Sequence, residues 1–517
     1  MLQEDIFVSE IQKLRVENEG LGAQIAKDKE RLKLYESEIS YLNEIIQKLK
    51  RESFGPRKER WESKEQLVFN EAEVEAKNPK PDDLADDDSD IEVDKHTRKR
   101  GKRKPLPENL PREVKVIELP ESERFDEDGT PLKAIGIEKS EKLKFEPAKL
   151  SVIEYRRVKY GRDTGDYVKT APPVPSLIPK GNPDESLISS IVMQKYGYGM
   201  PLCRLEEQFK NFGVTIPRCT QARWLIEAAP SLMPIRNCLE ERLLADVYVS
   251  CDETWTQVLN EAGRKPESRS WMWVRCTPSA KHKIVLFDYD PHRSGDVAKR
   301  LFLEFKGTLQ VDGYGAYNDL EKQDGIIRIG CNMHGRRYFF DAAEGAKQGK
   351  PLANMGLRFY RELYKIEEQA KDLTFDERFK VRLEKSQPIW DEFKAWADEN
   401  QQKVPPKSKI GSAFHYFQSE YTYLIGYMKN GLFEIDNGFA ERMIRKFAIG
   451  RNGWLFSDSV EGAEASSLYY SLVVTAKANG GDTQKKIDTV LKEAPYAKSV
   501  DDFERLANIL LARPPPE

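Results

Sequence analysis

Five short apolar runs crowd residues 246 to 330, and their order restricts the fold more than any other feature of the chain. They are Asp246 to Thr256, Ser270 to Cys276, Ile284 to Tyr289, Thr308 to Val311 and Ile326 to Gly330, with a helical stretch over Ser294 to Phe305 between the third and fourth. Strand-length runs rich in β-branched and aromatic residues, interrupted by one helix and followed by more, predict an α/β domain with a mixed sheet. Two of the runs carry an acid at or near the end. Asp252 lies near the end of the first, in VYVSCDET, and Asp312 at the end of the fourth, in LQVDGYGAY. An aspartate at the end of a buried strand is poorly explained as surface polarity, because open α/β sheets place their ligands at strand ends.

A third acid at such an edge would have to come from a helix folding back on it. Asp436 and Asn437 form an N-cap pair ahead of GFAERMIRKFAIG, in which Ala440, Met443, Ile444 and Phe447 make an apolar stripe and Glu441 sits beside it, one turn in. Glu434 precedes the cap and is a poorer candidate. Locally, Glu441 is equally an ion-pair partner of Arg445 at i+4. Converging carboxylates repel unless cations neutralise them, and oxygen donors without His or Cys at fixed spacing suit Mg²⁺ or Mn²⁺, here two ions.

The chain has 517 residues, room for roughly three domains. The pattern divides it into 1–52, a coiled-coil helix; 53–112, a charged, proline-containing linker; 113–172, a small β module; and 173–245, a helical, helix-turn-helix-like domain. The sheet then occupies 246–334 and 431–490 around a helical insertion at 335–430, with a C-terminal helix and tail at 491–517. In the first segment Ile11, Asn18, Ile25, Leu32, Ile39 and Ile46 recur every seven residues, as do Phe7, Leu14, Leu21, Tyr35, Leu42 and Leu49. That repeat predicts a dimer or higher oligomer through residues 1–50. Within the helical domain, Leu202 to Phe212 stops at Gly213, and Thr220 is expected to cap a helix beginning TQARWLIEAA, a shape able to enter a DNA groove.

Net charge is only −3, so the whole-chain value points to no partner; local clusters do. His334, Arg336 and Arg337 follow the fifth run, and Arg442, Arg445, Arg451 and Lys477 surround or follow Glu441. The linker carries Arg98, Lys99, Arg100, Lys102, Arg103 and Lys104. These are candidate contacts to a DNA backbone or minor groove. Trp454 and Phe456 read as core rather than as stacking platforms. The six cysteines show no C-x-x-C spacing, the N-terminus has no apolar signal segment, and Leu468 to Ala476 is too short to span a bilayer. The expectation is a cytoplasmic protein with reduced thiols and no membrane contact.

The segment from Ile435 to Ala478 closely resembles the C-terminal signature of insertion sequence 66 family transposases, a DNN-x-x-ER helix followed by GRKNWLF and T-A-K. Upstream, Asp252-Glu253-Thr254 resembles the family's D-E-T, Val311 to Tyr314 its D-G-Y, Cys331 to Phe340 its C-x-x-H-x-R-R, and Ser53 to Glu59 its FGRKSE stretch. The resemblance implies a ribonuclease H-like catalytic core and DDE chemistry with Asp252, Asp312 and Glu441 as metal ligands. It also implies DNA cleavage and strand transfer at terminal inverted repeats of a bacterial, nucleoid-associated mobile element, with accessory proteins of the same element. Two alternatives share much of the sequence: a nuclease or resolvase of the same fold without strand transfer, and a domesticated, non-catalytic DNA-binding regulator. The chain departs from the family where Arg124 to Leu132 and Lys159 to Val168 replace the paired cysteines of a zinc ribbon, so no zinc is expected. It departs again where Asn437-Gly438 replaces Asn-Asn.

Overall fold

The computed structural model describes residues 150–161, 168–179, 181–344 and 351–514. The heptads, the basic linker and most of the expected β module lie outside them. A unit of residues 50–151 falls almost wholly outside as well, and everything below belongs to the unit that contains Val152–Glu517.

A short antiparallel hairpin of β1 (Lys159–Gly161) and β2 (Val168–Thr170) precedes the helices. α1 (Glu185–Val192) is capped by Asp184, and α2 (Leu202–Asn211) ends at Gly213, whose φ of +82° costs a glycine nothing. α3 runs over Arg218–Leu244, 27 residues through Pro230 and Pro234. Thr220 does not cap it: the backbone is already helical at Arg218, whose N–H is taken by the Glu206 carboxylate of α2. Nor does Pro230 end it, because Leu232, Ile235, Leu239 and Leu243 are fully buried beyond it, and their burial offsets the lost backbone donors.

The five expected strands are present as β3 (Tyr248–Asn260), β4 (Arg269–Cys276), β5 (Val285–Asp290), β6 (Gly307–Gln310) and β7 (Ile326–Ile329). They form one mixed sheet in the order β5-β4-β3-β6-β7, antiparallel from β5 to β3 and parallel from β3 to β7. α4 (Gly295–Leu301) makes the crossover between the two parts. β3 is the centre, and Val249, Ser250 and Cys251 are buried, so both of its faces are covered rather than one. A short β8 (Ser457–Ser459) pairs in parallel with the far half of β3.

After β7 the chain runs through α5 (Asn332–Glu344), α6 (Pro351–Ala370), α7 (Phe375–Val381), α8 (Gln387–Asn400) and α9 (Lys409–Leu424). These helices have an aromatic core of their own, with Phe339, Phe359, Tyr360, Trp390, Phe393, Phe414 and Phe417 buried together. α10 (Gly438–Trp454) then returns to pack on β3 and β4, burying the expected stripe of Ala440, Met443, Ile444 and Phe447. α11 (Val460–Ala478) is buried all round from Ala465 to Ala476, and α12 (Thr483–Glu493) and α13 (Val500–Leu511) finish the fold. Among the described residues, no helix is long and apolar enough to cross a membrane.

Candidate active site

β3 and β6 run parallel with Ser250 beside Gln310, and β6 and β7 with Gln310 beside Ile329. Continuing both registers by two residues sets Asp252, Asp312 and Cys331 in a row, Asp312 and Cys331 just past the ends of β6 and β7. Asp252, expected near the end of its strand, lies inside β3, which runs on to Asn260 paired with β4; only its parallel pairing with β6 stops there. The Asp312 carboxylate accepts the Tyr314 N–H at 2.9 Å, and its carbonyl accepts from Arg328 at 3.1 Å, which fixes the turn that carries it.

Glu441 comes to the same edge on the first turn of α10. Asn437, read from sequence as half of a cap, does something else. It is 1 % exposed, and its amide donates to the Cys251 carbonyl at 2.7 Å while its backbone N–H meets Cys331 Sγ at 3.2 Å. The helix start is thereby tied to the residue before Asp252 and to the end of β7. The Asx turn is made by Asp436, which accepts the Gly438 N–H at 2.8 Å and is held by the Tyr364 hydroxyl at 2.7 Å. The loop ahead is set by buried side chains. Arg382 holds the carbonyls of Tyr427, Asn430 and Phe433 and pairs with Glu367. Gln310 donates to the Glu434 carbonyl at 2.9 Å. Glu434 itself stays in this loop, 3.6 Å from Arg378.

The charges at this edge act on one another. Burial pushes the Asp252 carboxyl well above the usual carboxylate range, and the negative charges of Glu253, Glu441 and Asp312 push it further. Glu253, quoted from sequence only as part of a motif, is a fourth acid here, its side chain 1 % exposed. Arg293 donates to it at 2.7 Å and Tyr317 from its other side; burial and Asp312 still hold its carboxyl above the usual range. Arg293 lies across the Tyr314 ring, 3.7 Å from its centroid. No local pattern singles out Arg293, which is forty residues from Glu253.

The Glu441 carboxylate has partners on α5: one oxygen lies 3.6 Å from His334 Nδ1, the other 3.8 Å from Arg337. The expected pairing with Arg445 is replaced by these two. Among the described residues, the group whose ligand atoms all fall within 4.8 Å of one another is Cys331, His334 and Glu441. Asp252, Asp312 and Glu441 are brought near enough for their charges to act on one another, but their carboxylate oxygens are not all within that distance.

Of the basic candidates, Arg337, Arg442 and Arg445 are exposed and Arg336 is half-buried. Two others are corrected. Arg451 is 4 % exposed; it bonds Thr254 and the Trp255 carbonyl and lies 4.1 Å over the Trp255 ring. Lys477 is half-buried, its ammonium on the Gly197 carbonyl and over Tyr198. Both cations are spent inside the chain; proximity to Glu441 along the sequence misplaced them. Phe456 is corrected the other way, at 43 % exposed, because Leu455 before it takes a φ of +69° and turns the chain outward at the helix end.

Set against known protein families, residues 180–465 match the one described as Transposase IS66 family. The chain belongs to that family. Residues 41–114 of this IS66 member match a second description, Transposase C of IS166 homeodomain. Three relatives come from Sinorhizobium fredii (strain NBRC 101917 / NGR234). The uncharacterized protein y4qI is 31% identical, over 96% of this chain and 94% of its own. The uncharacterized protein y4hP is 28% identical, over 86% of this chain and 84% of its own. The uncharacterized protein y4jD is 29% identical, over 78% of each.

Proposed function

We propose that this IS66 family member is a DDE transposase with a ribonuclease H-like core, in which Asp252, Asp312 and Glu441 bind the catalytic metal and cut and join DNA. One observation carries the reading: an acid inside β3 where its parallel pairing with β6 stops, a second just past the end of β6, and a third on a helix whose first residues are tied to β3 beside Asp252 through Asn437. The strand order supports the fold, three antiparallel strands continued by two parallel ones with the crossover helix between.

The donors are hard carboxylate oxygens at a crowded negative edge, and they fit Mg²⁺ or Mn²⁺, two ions sharing Asp252, Asp312 and Glu441. Such ions, when bound, activate a water or 3′-hydroxyl and stabilise the leaving oxygen of a phosphodiester. The chain's own groups do the positioning. Arg293 and Tyr317 clamp Glu253, so the part of β3 that presents Asp252 keeps its place. His334, Arg336 and Arg337 on α5, with exposed Arg442 and Arg445 on α10, offer donors to phosphates beside the scissile bond. The partners are the terminal inverted repeats and target DNA, a second copy through residues 1–50, and accessory proteins of the element.

Asp312→Asn tests the assignment. With Mg²⁺ and labelled terminal repeats, its cleavage falls to background while gel-shift binding of the repeats stays within about threefold, a change of under 1 kcal/mol. Cleavage at the wild-type rate rejects the metal site. Strand transfer from pre-cut ends by the wild-type protein separates a transposase from a nuclease of the same fold, which yields only cut products. Metal-independent binding without either product marks a regulator.

A further inference from the structure

We propose that Cys331, His334 and Glu441 form a second metal site, selective for a thiolate-binding divalent ion such as zinc or cobalt(II), which takes Glu441 away from the aspartates. Cys331 lies between β7 and α5, immediately before the helix, and His334 stands three residues on in its first turn. Glu441 reaches them from α10, its oxygen 4.0 Å from Cys331 Sγ and 3.6 Å from His334 Nδ1. A tetrahedral zinc ion with its usual bond lengths sets sulfur and oxygen about 3.5 Å apart and nitrogen and oxygen about 3.3 Å apart. The two pairs that include Glu441 therefore need to close by about half an ångström or less, and the sulfur and the ring nitrogen lie within 4.8 Å of each other.

Three further features favour a soft ion. Cys331 supplies a sulfur that already receives the Asn437 N–H; burial pushes its thiol well above the usual range, so a bound cation is what would favour the thiolate. His334 Nδ1 is buried without a hydrogen-bond partner, so a ring nitrogen faces the cluster unused. Sulfur and imidazole select zinc or cobalt over magnesium, whereas the aspartates do the reverse. As the sulfur–metal bond forms, the thiol proton passes to solvent and the histidine binds neutral, so affinity falls with pH. The expectation of no zinc came from missing ribbon ligands and does not reach this cluster. Its consequence rests on the transposase reading: the soft ion holds a carboxylate that Mg²⁺-dependent cleavage needs, so zinc inhibits.

Cobalt(II) titration of the full chain, followed by absorption, provides the test. A thiolate-to-cobalt charge-transfer band should saturate at one equivalent, persist in excess Mg²⁺ and survive in Asp312→Asn. It should vanish in Cys331→Ser and need more than about tenfold more cobalt in His334→Gln. Zinc-edge X-ray absorption on the wild-type chain, free of any folding effect, should find one sulfur at about 2.3 Å. A shell of oxygen and nitrogen alone, or a band unchanged in Cys331→Ser, overturns the proposal. If the transposase reading fails, cleavage is absent but the cobalt band remains; if this site fails, cleavage is present and zinc does not inhibit it.

Discussion

Arg275 is a fully buried guanidinium on β4. It pairs with Asp288 at 2.8 Å, contacts Glu240 of α3, and donates to the Leu301 carbonyl at 2.9 Å. Arg236 of α3 completes the cluster on Glu240 and Asp288. Burial pushes the Asp288 carboxyl up, but Arg275 and Arg236 outweigh it and hold it below the usual range. The unfolded chain thus binds the proton more readily, so this pairing stabilises at neutral pH and is lost as pH falls through the depressed value. Arg275→Met removes the fully buried partner of two partly buried carboxylates and leaves them chiefly to Arg236. Urea denaturation at pH 7 should show a loss of about 3 kcal/mol or more, and an unchanged midpoint would contradict the account. The same scale shows what could be read in advance. Asp252 and Asp312 stood out because an acid ending an apolar run breaks a local pattern. Glu253, Arg293 and Asn437 did not, because their partners lie far along the chain and a local reading offers Asn437 only cap chemistry.

Among elements, α11 solves a problem set by the sheet. β5 is an edge strand, with backbone groups facing away from β4. Thr475 accepts the Val285 N–H at 3.0 Å and donates to the Val285 carbonyl at 2.9 Å, while Ser471 accepts the Phe287 N–H at 2.8 Å. One helix turn of hydroxyls stands in for a sixth strand on that edge. Thr475→Val keeps the shape and removes both bonds. It should cost about 1–3 kcal/mol in thermal or chemical denaturation and speed hydrogen exchange at Val285; unchanged exchange there would refute the role. The five strands and α10 were legible from period and run length. The reach of α3 past two prolines was not, because the apolar residues that pay for it bury against distant elements.

At the scale of the molecule, the N-terminal heptads call for a partner that a single chain cannot supply. Deleting residues 1–50 should lower the mass measured by light scattering to that of a monomer; an unchanged mass argues against self-association there. The helices between β7 and α10 have another effect, through time rather than space. Asp252 and Asp312 precede that aromatic-cored segment and Glu441 follows it, on a loop clamped by Arg382 from within it. A ribosome that has released the chain only as far as residue 430 has made five of the six strands and, on the proposed reading, two of the three acids that cutting requires. If the proposed reading holds, messages broken before that point would yield inert fragments, and a nascent chain near the chromosome would stay harmless until residues 431–517 had emerged and closed.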